Sequence, residues 1–456
     1  MQTVIPKRTQ NLILFLGIIF LFCTVSLFAT NTVFMVSNEI YHGVSIGDIA
    51  VGGLTLVEAE AKLLQAFSAQ IVQPAITIEY EGATWKIMAQ DIDLSINAAG
   101  LAQQAYETGR TGNIFYQLKE RYLTVNQGSI IPMSINYNKD KLNRILAEIA
   151  ASIDREPRNA AIQYEGATLH ILSETVGLKV EVSATLTDIH NQLNSKLTSL
   201  VPLQVSQHFP VIRDSDLIEI DGLVASYTTQ FDSKDVNRSQ NILLAAKSIH
   251  GILVKSGQEF SFNTQVGSRL AQNGYKEAPV FIEGKLVPDF GGGVCQVSST
   301  LYNAVLLADM EVIERTPHFR PPGYVPLGQD ATVADNLLDF RFKNSGTSNI
   351  YIASEVFGNQ LTIFVFGKRR IDSPEVRIFA ADTKIIEPNT IIKQDPNLEL
   401  GKQLIESEGQ KGFFVTTYRV KSINGHEIKR EFLASDEFKS VDHIIRVGTK
   451  IKAPTK

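Results

Sequence analysis

An uncharged apolar run near the N-terminus, Leu12 to Ala29 (LILFLGIIFLFCTVSLFA), constrains where everything after it can fold. With the milder uncharged stretch Thr30 to Val36 behind it, the run is long enough to cross a bilayer as a helix. Lys7 and Arg8 precede it, and the next Lys or Arg is Lys62. The positive-inside rule then makes 1–11 a cytoplasmic tail and 12–36 a single-pass transmembrane anchor, with the bulk of the chain outside the cell membrane. A cleaved signal peptide is the rival reading. Against it stand the length of the apolar core and the lack of a small-x-small site at its end.

That placement gives the two cysteines their meaning. Cys23 lies within the apolar run, so Cys295 has no partner for an intrachain disulfide. An exported chain gains nothing structural from one free thiol in an oxidising compartment. The formal charge of -5 over 456 residues, with no long basic run, argues against a nucleic-acid partner. At this length several domains are expected.

Cys295 follows three glycines, Gly291, Gly292 and Gly293, in PDFGGGVCQVSSTLYNAVLLA, and from Val297 apolar residues recur at helical spacing. The pattern predicts a loop running into a buried helix. The glycines, with no evident use in packing, would leave room for a substrate backbone at Gly291 and Gly292. The first helical turn would favour the thiolate, with the loop at Gly293 and the N–H groups of Val294 and Cys295 facing a developing oxyanion. A small buried hydrophobe is the competing reading of such a cysteine. Downstream stand His318 and Asp330, a general base and the group that would orient it, in an order similar to transglutaminase-like and papain-like thiol enzymes. Arg315 is a candidate partner for a substrate carboxylate. His250 precedes Gly251 at the end of a helical pattern, where a histidine caps the helix dipole, and it is the lesser candidate base. The remaining histidines lack ligand spacing, so neither a metal nor a cofactor is expected.

After the anchor, Thr55 and Glu58 form a capping box before a helix, and AITIEYEGATWKI alternates as a strand. A second strand-helix-strand set comes next. The pentapeptide YEGAT recurs at Tyr80–Thr84 and Tyr164–Thr168, which indicates an internal duplication of α+β modules. The opening Gly43 to Thr55 resembles the peptidoglycan-binding domain often attached to L,D-transpeptidases, with one repeat over 38–128 and a second over 129–208.

Residues 222–368 closely resemble the VanW family. The resemblance is carried by Asn237-Arg238, Phe260 to Asn263, Gly274-Tyr275, Ala278-Pro279, Gly291 to Tyr302, Glu314-Arg315 with His318, and Asp330 to Thr332. It implies that Cys295 is the nucleophile of an L,D-transpeptidase acting on peptidoglycan stem peptides. Relatives commonly carry a second histidine two residues before His318 and a serine after it, where this chain has Thr316 and Phe319. Over 373–450, Gly401, Gly409, Gly412, Gly425 and Gly448 with Tyr418 are similar to the five-glycine domain family of β modules, and Asn424-Gly425 marks a hairpin. The whole reads as a multidomain α+β protein of the cell envelope. A cysteine transpeptidase, a cysteine hydrolase of stem peptides and a non-catalytic wall-binding scaffold all remain open.

Overall fold

The computed structural model describes residues 7–71, 74–193, 199–282, 285–369 and 373–451, so residues 1–6 of the expected tail lie outside it. The apolar run forms one helix, Lys7–Val36, of which Lys7–Ser26 is long and apolar enough to cross a membrane and is nowhere buried in the protein. Beyond this helix the chain mixes helix and strand, as expected for an α+β protein, and it ends in an all-β region. Two compact units emerge. The first joins residues up to Pro157 with Val176–Phe209, and the second joins Arg158–Thr175 with Pro210–Lys456.

In the first unit the capping box forms as expected: the Thr55 N–H donates to Glu58 Oε2 at 2.9 Å and the Glu58 N–H to Thr55 Oγ1 at 3.3 Å. These bonds start the helix Leu56–Ile71, whose Ala59, Leu63 and Phe67 face the core at i, i+4, i+8 spacing. The two expected repeats share one core. Strand Ser199–Pro202 pairs in parallel with Pro74–Tyr80, and Ser129–Ile131 pairs in parallel with Val44–Ile46.

The two YEGAT copies both turn a hairpin, in registers one residue apart. Tyr80 pairs with Ala83 around Glu81-Gly82, whereas Glu165 pairs with Thr168 around Gly166-Ala167. The second hairpin belongs to the second unit, where Tyr164 packs its ring against Phe364 and Phe366.

The second unit is built on an antiparallel sheet ordered Gly222–Gln230, Gln360–Gly367, Ile350–Phe357, Ile252–Val254. Helix Val236–Ile249 lies on it, its first turn capped by the Asp235 side chain, which accepts from the Arg238 N–H. Helix Val294–Leu307 packs beside it with nearly every residue buried. In the all-β region, Ile423 pairs with His426 across the Asn424-Gly425 turn, as expected. Gly412 and Gly448 allow close strand approach, since a Cβ would sit 2.4 Å from the Phe438 carbonyl oxygen and 2.0 Å from that of Glu399.

Candidate active site

Gly293, in the left-handed region at φ 107°, caps the helix that starts at Val294 and places Cys295 in its first turn. The loop is held from below. Buried Asn241 donates to the carbonyls of Lys276 and Gly292 at 2.9 Å each, and its own oxygen accepts from the Lys276 N–H at 2.8 Å. The glycines therefore do serve packing, contrary to expectation. A Cβ on Gly292 would meet the Ala278 backbone at 2.8 Å, one on Gly291 the Arg269 side chain at 2.9 Å, and one on Gly293 Arg238 and Ile242 at 3.0 Å.

The polar residues of the helix hold the segment that carries Asp330. Ser298 Oγ donates to the Ala331 carbonyl at 2.7 Å, Ser299 Oγ accepts from the Ala331 N–H at 2.9 Å, and Asn303 donates to the Gln329 carbonyl at 2.7 Å. Asp330 is thereby fixed in a fully buried position. One of its oxygens, Oδ2, accepts both from the His318 backbone N–H and from ring Nδ1, each at 2.6 Å. With Nδ1 engaged, Nε2 is the ring nitrogen left to face Cys295, whose thiol lies close enough that each group shifts the titration of the other. Cys295, His318 and Asp330 are thus brought together, with the His318–Asp330 pair hydrogen-bonded. The thiol is half-buried, and its other contact is the Val333 carbonyl at 3.4 Å.

The electrostatics come from that arrangement. Burial pushes the Cys295 thiol up, but the hydrogen bond and charge of His318, helped by Arg269, bring it below an ordinary thiol. Burial pulls the imidazole down, and bonding to Asp330 and Cys295 outweighs this, raising it to about 9. Burial also raises Asp330, while His318 and Arg315 hold it below the usual carboxylate range. Both shifts run toward the charged forms, thiolate and imidazolium.

Three expected roles change. Arg315 does not face a substrate: only 5% of its side chain is exposed. Its Nε donates to the Asp330 carbonyl at 2.6 Å, Nη2 to Asp330 Oδ1 at 3.0 Å, and Nη1 to both oxygens of Asp436 at 2.7 and 2.6 Å. The Val294 N–H, expected to face an oxyanion, is taken by the Gly291 carbonyl at 3.0 Å, and the Cys295 N–H has no partner among the described residues. Gly292 turns its carbonyl inward to Asn241, so the loop offers less backbone to a substrate than expected. His250 lies elsewhere, with Nδ1 against the backbone of Ser354.

Other residues at the site carried no signal in the sequence. Tyr324 sets its ring edge-on to His318, centroids 6.5 Å apart, with burial and the Cys295 charge raising its hydroxyl. It comes from PPGYVPLG, whose prolines stiffen a loop without any periodicity to read. Gln296 ties the first helical turn to the neighbouring strand, donating to Thr229 Oγ1 and the Gln230 carbonyl and accepting from Arg238. Among the described residues, no group of three or more His, Cys, Asp or Glu is placed to hold a metal.

A family model described as "VanW like protein" matches residues 237–366, and the candidate site lies within it. The uncharacterized protein YoaR of Bacillus subtilis (strain 168) is 33% identical over 247 residues, which are 54% of this chain and 80% of YoaR. The chain belongs to the VanW/YoaR family. The vancomycin B-type resistance protein VanW of Enterococcus faecalis (strain ATCC 700802 / V583) is 33% identical over 134 residues, 28% of this chain and 49% of that protein. On either side of the VanW-like region, "Putative peptidoglycan binding domain" matches 85–199 and "G5 domain" matches 380–450. Two solved G5 structures align with the C-terminal region. The IgA1 protease G5 domain is 26% identical over 18% of this chain and 96% of that one, at a TM-score of 0.15. HP0197-G5 is 20% identical over 16% and 97%, at 0.13. The protein is therefore a cell-wall-related member of this family.

Proposed function

We propose that this VanW/YoaR family member is a membrane-anchored cysteine L,D-transpeptidase that cross-links peptidoglycan stem peptides. In this reading two interlocked wall-binding repeats precede the VanW-like domain and the G5 domain comes after it. The observation that carries the reading is the juxtaposition of Cys295 and a His318 ring held by Asp330, with the half-buried thiol in the first turn of its helix. The Cys295 thiolate attacks the carbonyl carbon of the amide before a terminal D-Ala, forming a C–S bond. As the C–N bond breaks, His318 gives its proton to the departing D-Ala amine. The amine of a second stem then attacks the thioester, passing a proton to His318, and the thiolate is released. Neither an oxidant nor a nucleotide is consumed. The Cys295 N–H is the proposed oxyanion donor, a contact typically worth about 3 kcal/mol.

The test incubates the full chain in detergent with tetrapeptide-containing muropeptide monomers and tracks product masses. Joined stems with loss of D-Ala, abolished in Cys295→Ala, are the expected result. Cleavage without joining assigns a hydrolase. Turnover undiminished in Cys295→Ala removes the nucleophile assignment, and no turnover together with a native thiol that never reacts with an acylating probe leaves a wall-binding scaffold.

A further inference from the structure

The set of side chains around His318 does not end at Asp330. Asp330 spends one oxygen on His318 and the other on Arg315, so the direction of its carboxylate depends on where that guanidinium sits. Beyond Arg315 lies Asp436, 121 residues further along the chain, on the strand His426–Phe438 of the G5 region. Alternation along this strand buries Asp436 and Phe438 and leaves Ser435 and Glu437 exposed. Both carboxylates and the guanidinium are at most 5% exposed.

We propose that Asp436 is a positioning residue for the candidate active site, reaching Cys295 through Arg315, Asp330 and His318, so that the VanW-like site is complete only with the G5 region in place. Three observations carry this. First, the Arg315 fork is shared between two carboxylates, and a planar fork held at both ends has one orientation. Second, Arg315 and Asp436 line a cavity of about 420 Å³ that also meets Tyr302, Arg419 and Glu431. On that side the Asp436 carboxylate is the polar partner of the guanidinium, opposite the bonds that Nε and Nη2 make to Asp330. Third, the segment leading to Asp330 rests on the same sheet: a Cβ on Gly328 would lie 2.2 Å from Thr417 Oγ1.

The direction of the effect can be worked out. Facing Asp436 are Arg315, Tyr302 and, through Arg315, Asp330; facing His318 are Asp330, Cys295 and Tyr324; facing Cys295 are His318 and Arg269. Without Asp436 the whole Arg315 charge bears on Asp330. The carboxylate then supports the imidazolium less, and the thiolate loses its counter-charge.

This inference rests on the Cys295–His318–Asp330 reading above, and the experiment separates the two. Iodoacetamide labelling of the folded full chain is measured against pH, reading the Cys295 peptide by mass so that Cys23 does not contribute. Wild type is expected to label with a midpoint below that of an ordinary thiol. In Asp436→Asn the midpoint moves up by about one pH unit, with a roughly tenfold fall in labelling rate on the acid side. Asp436→Glu moves it less. Glu431→Gln, which loosens the same interface through Arg419 without touching Asp330, leaves the midpoint in place whatever it does to the melting temperature. A folded Asp436→Asn with the wild-type midpoint, or an equal displacement in Glu431→Gln, overturns the positioning role while the active-site reading stands. An ordinary midpoint in wild type removes both.

Discussion

Arg315 illustrates how much a residue's surroundings decide. As an arginine close to a candidate base it suits a substrate carboxylate, yet its two carboxylate partners are both protein groups. His318 shows the converse. Its identity and its spacing from Cys295 were readable, and Asp330 is the carboxylate that fixes its tautomer. Thr316, at the position where relatives carry another histidine, gives its carbonyl to the Thr332 N–H at 2.8 Å, and His318 is the imidazole coupled to Cys295. The raised imidazole sets a pH dependence. Below about 9 the ring carries the proton that the leaving amine needs; as pH rises through that value the proton is lost and turnover falls. The acid limb belongs to the thiol–imidazole pair rather than to either group. A kcat/KM profile should show this alkaline limb in wild type and lose it in His318→Gln, with the rate at neutral pH falling by about 10²–10⁴-fold. A wild-type profile flat through pH 9 would contradict the assignment.

At the scale of elements, the glycine loop and its helix form one packed device. The helix Val294–Leu307 looks apolar by period, but its serines and Asn303 are what hold Asp330 in place, and every one of them is buried. Sequence periodicity finds such a helix and cannot say that its polar residues are inward staples. Gly292 has an ordinary φ, so its need is steric alone. Gly292→Ala should therefore cost about 1–3 kcal/mol, through overpacking against the Ala278 backbone. Gly323→Ala, where a Cβ meets nothing within 4 Å, should stay within about 0.5 kcal/mol. Thermal melts of the two variants decide it, and equal melting temperatures would remove the packing role of the loop.

For the whole molecule, the apolar helix and the wall-related domains together predict residence at the outer face of the membrane. The full chain should sediment with membranes and be digested by protease added from outside. A chain lacking residues 1–36 should remain in the supernatant, whereas a mature N-terminus near residue 30 in cells would identify a cleaved leader. What the sequence by itself determined was local or repetitive: the apolar run, the capping box at Thr55, the Asn424-Gly425 turn and the run of motifs that orders the domains. Such features depend on neighbours a few residues apart, so their physics is complete within a short window. Tertiary structure alone decided which register each YEGAT hairpin takes, how the two repeats exchange strands, that Arg315 faces inward, and that Asp436 lies behind it. Those outcomes depend on which distant surfaces are buried together, and a buried charge takes whichever partner the packing brings within reach.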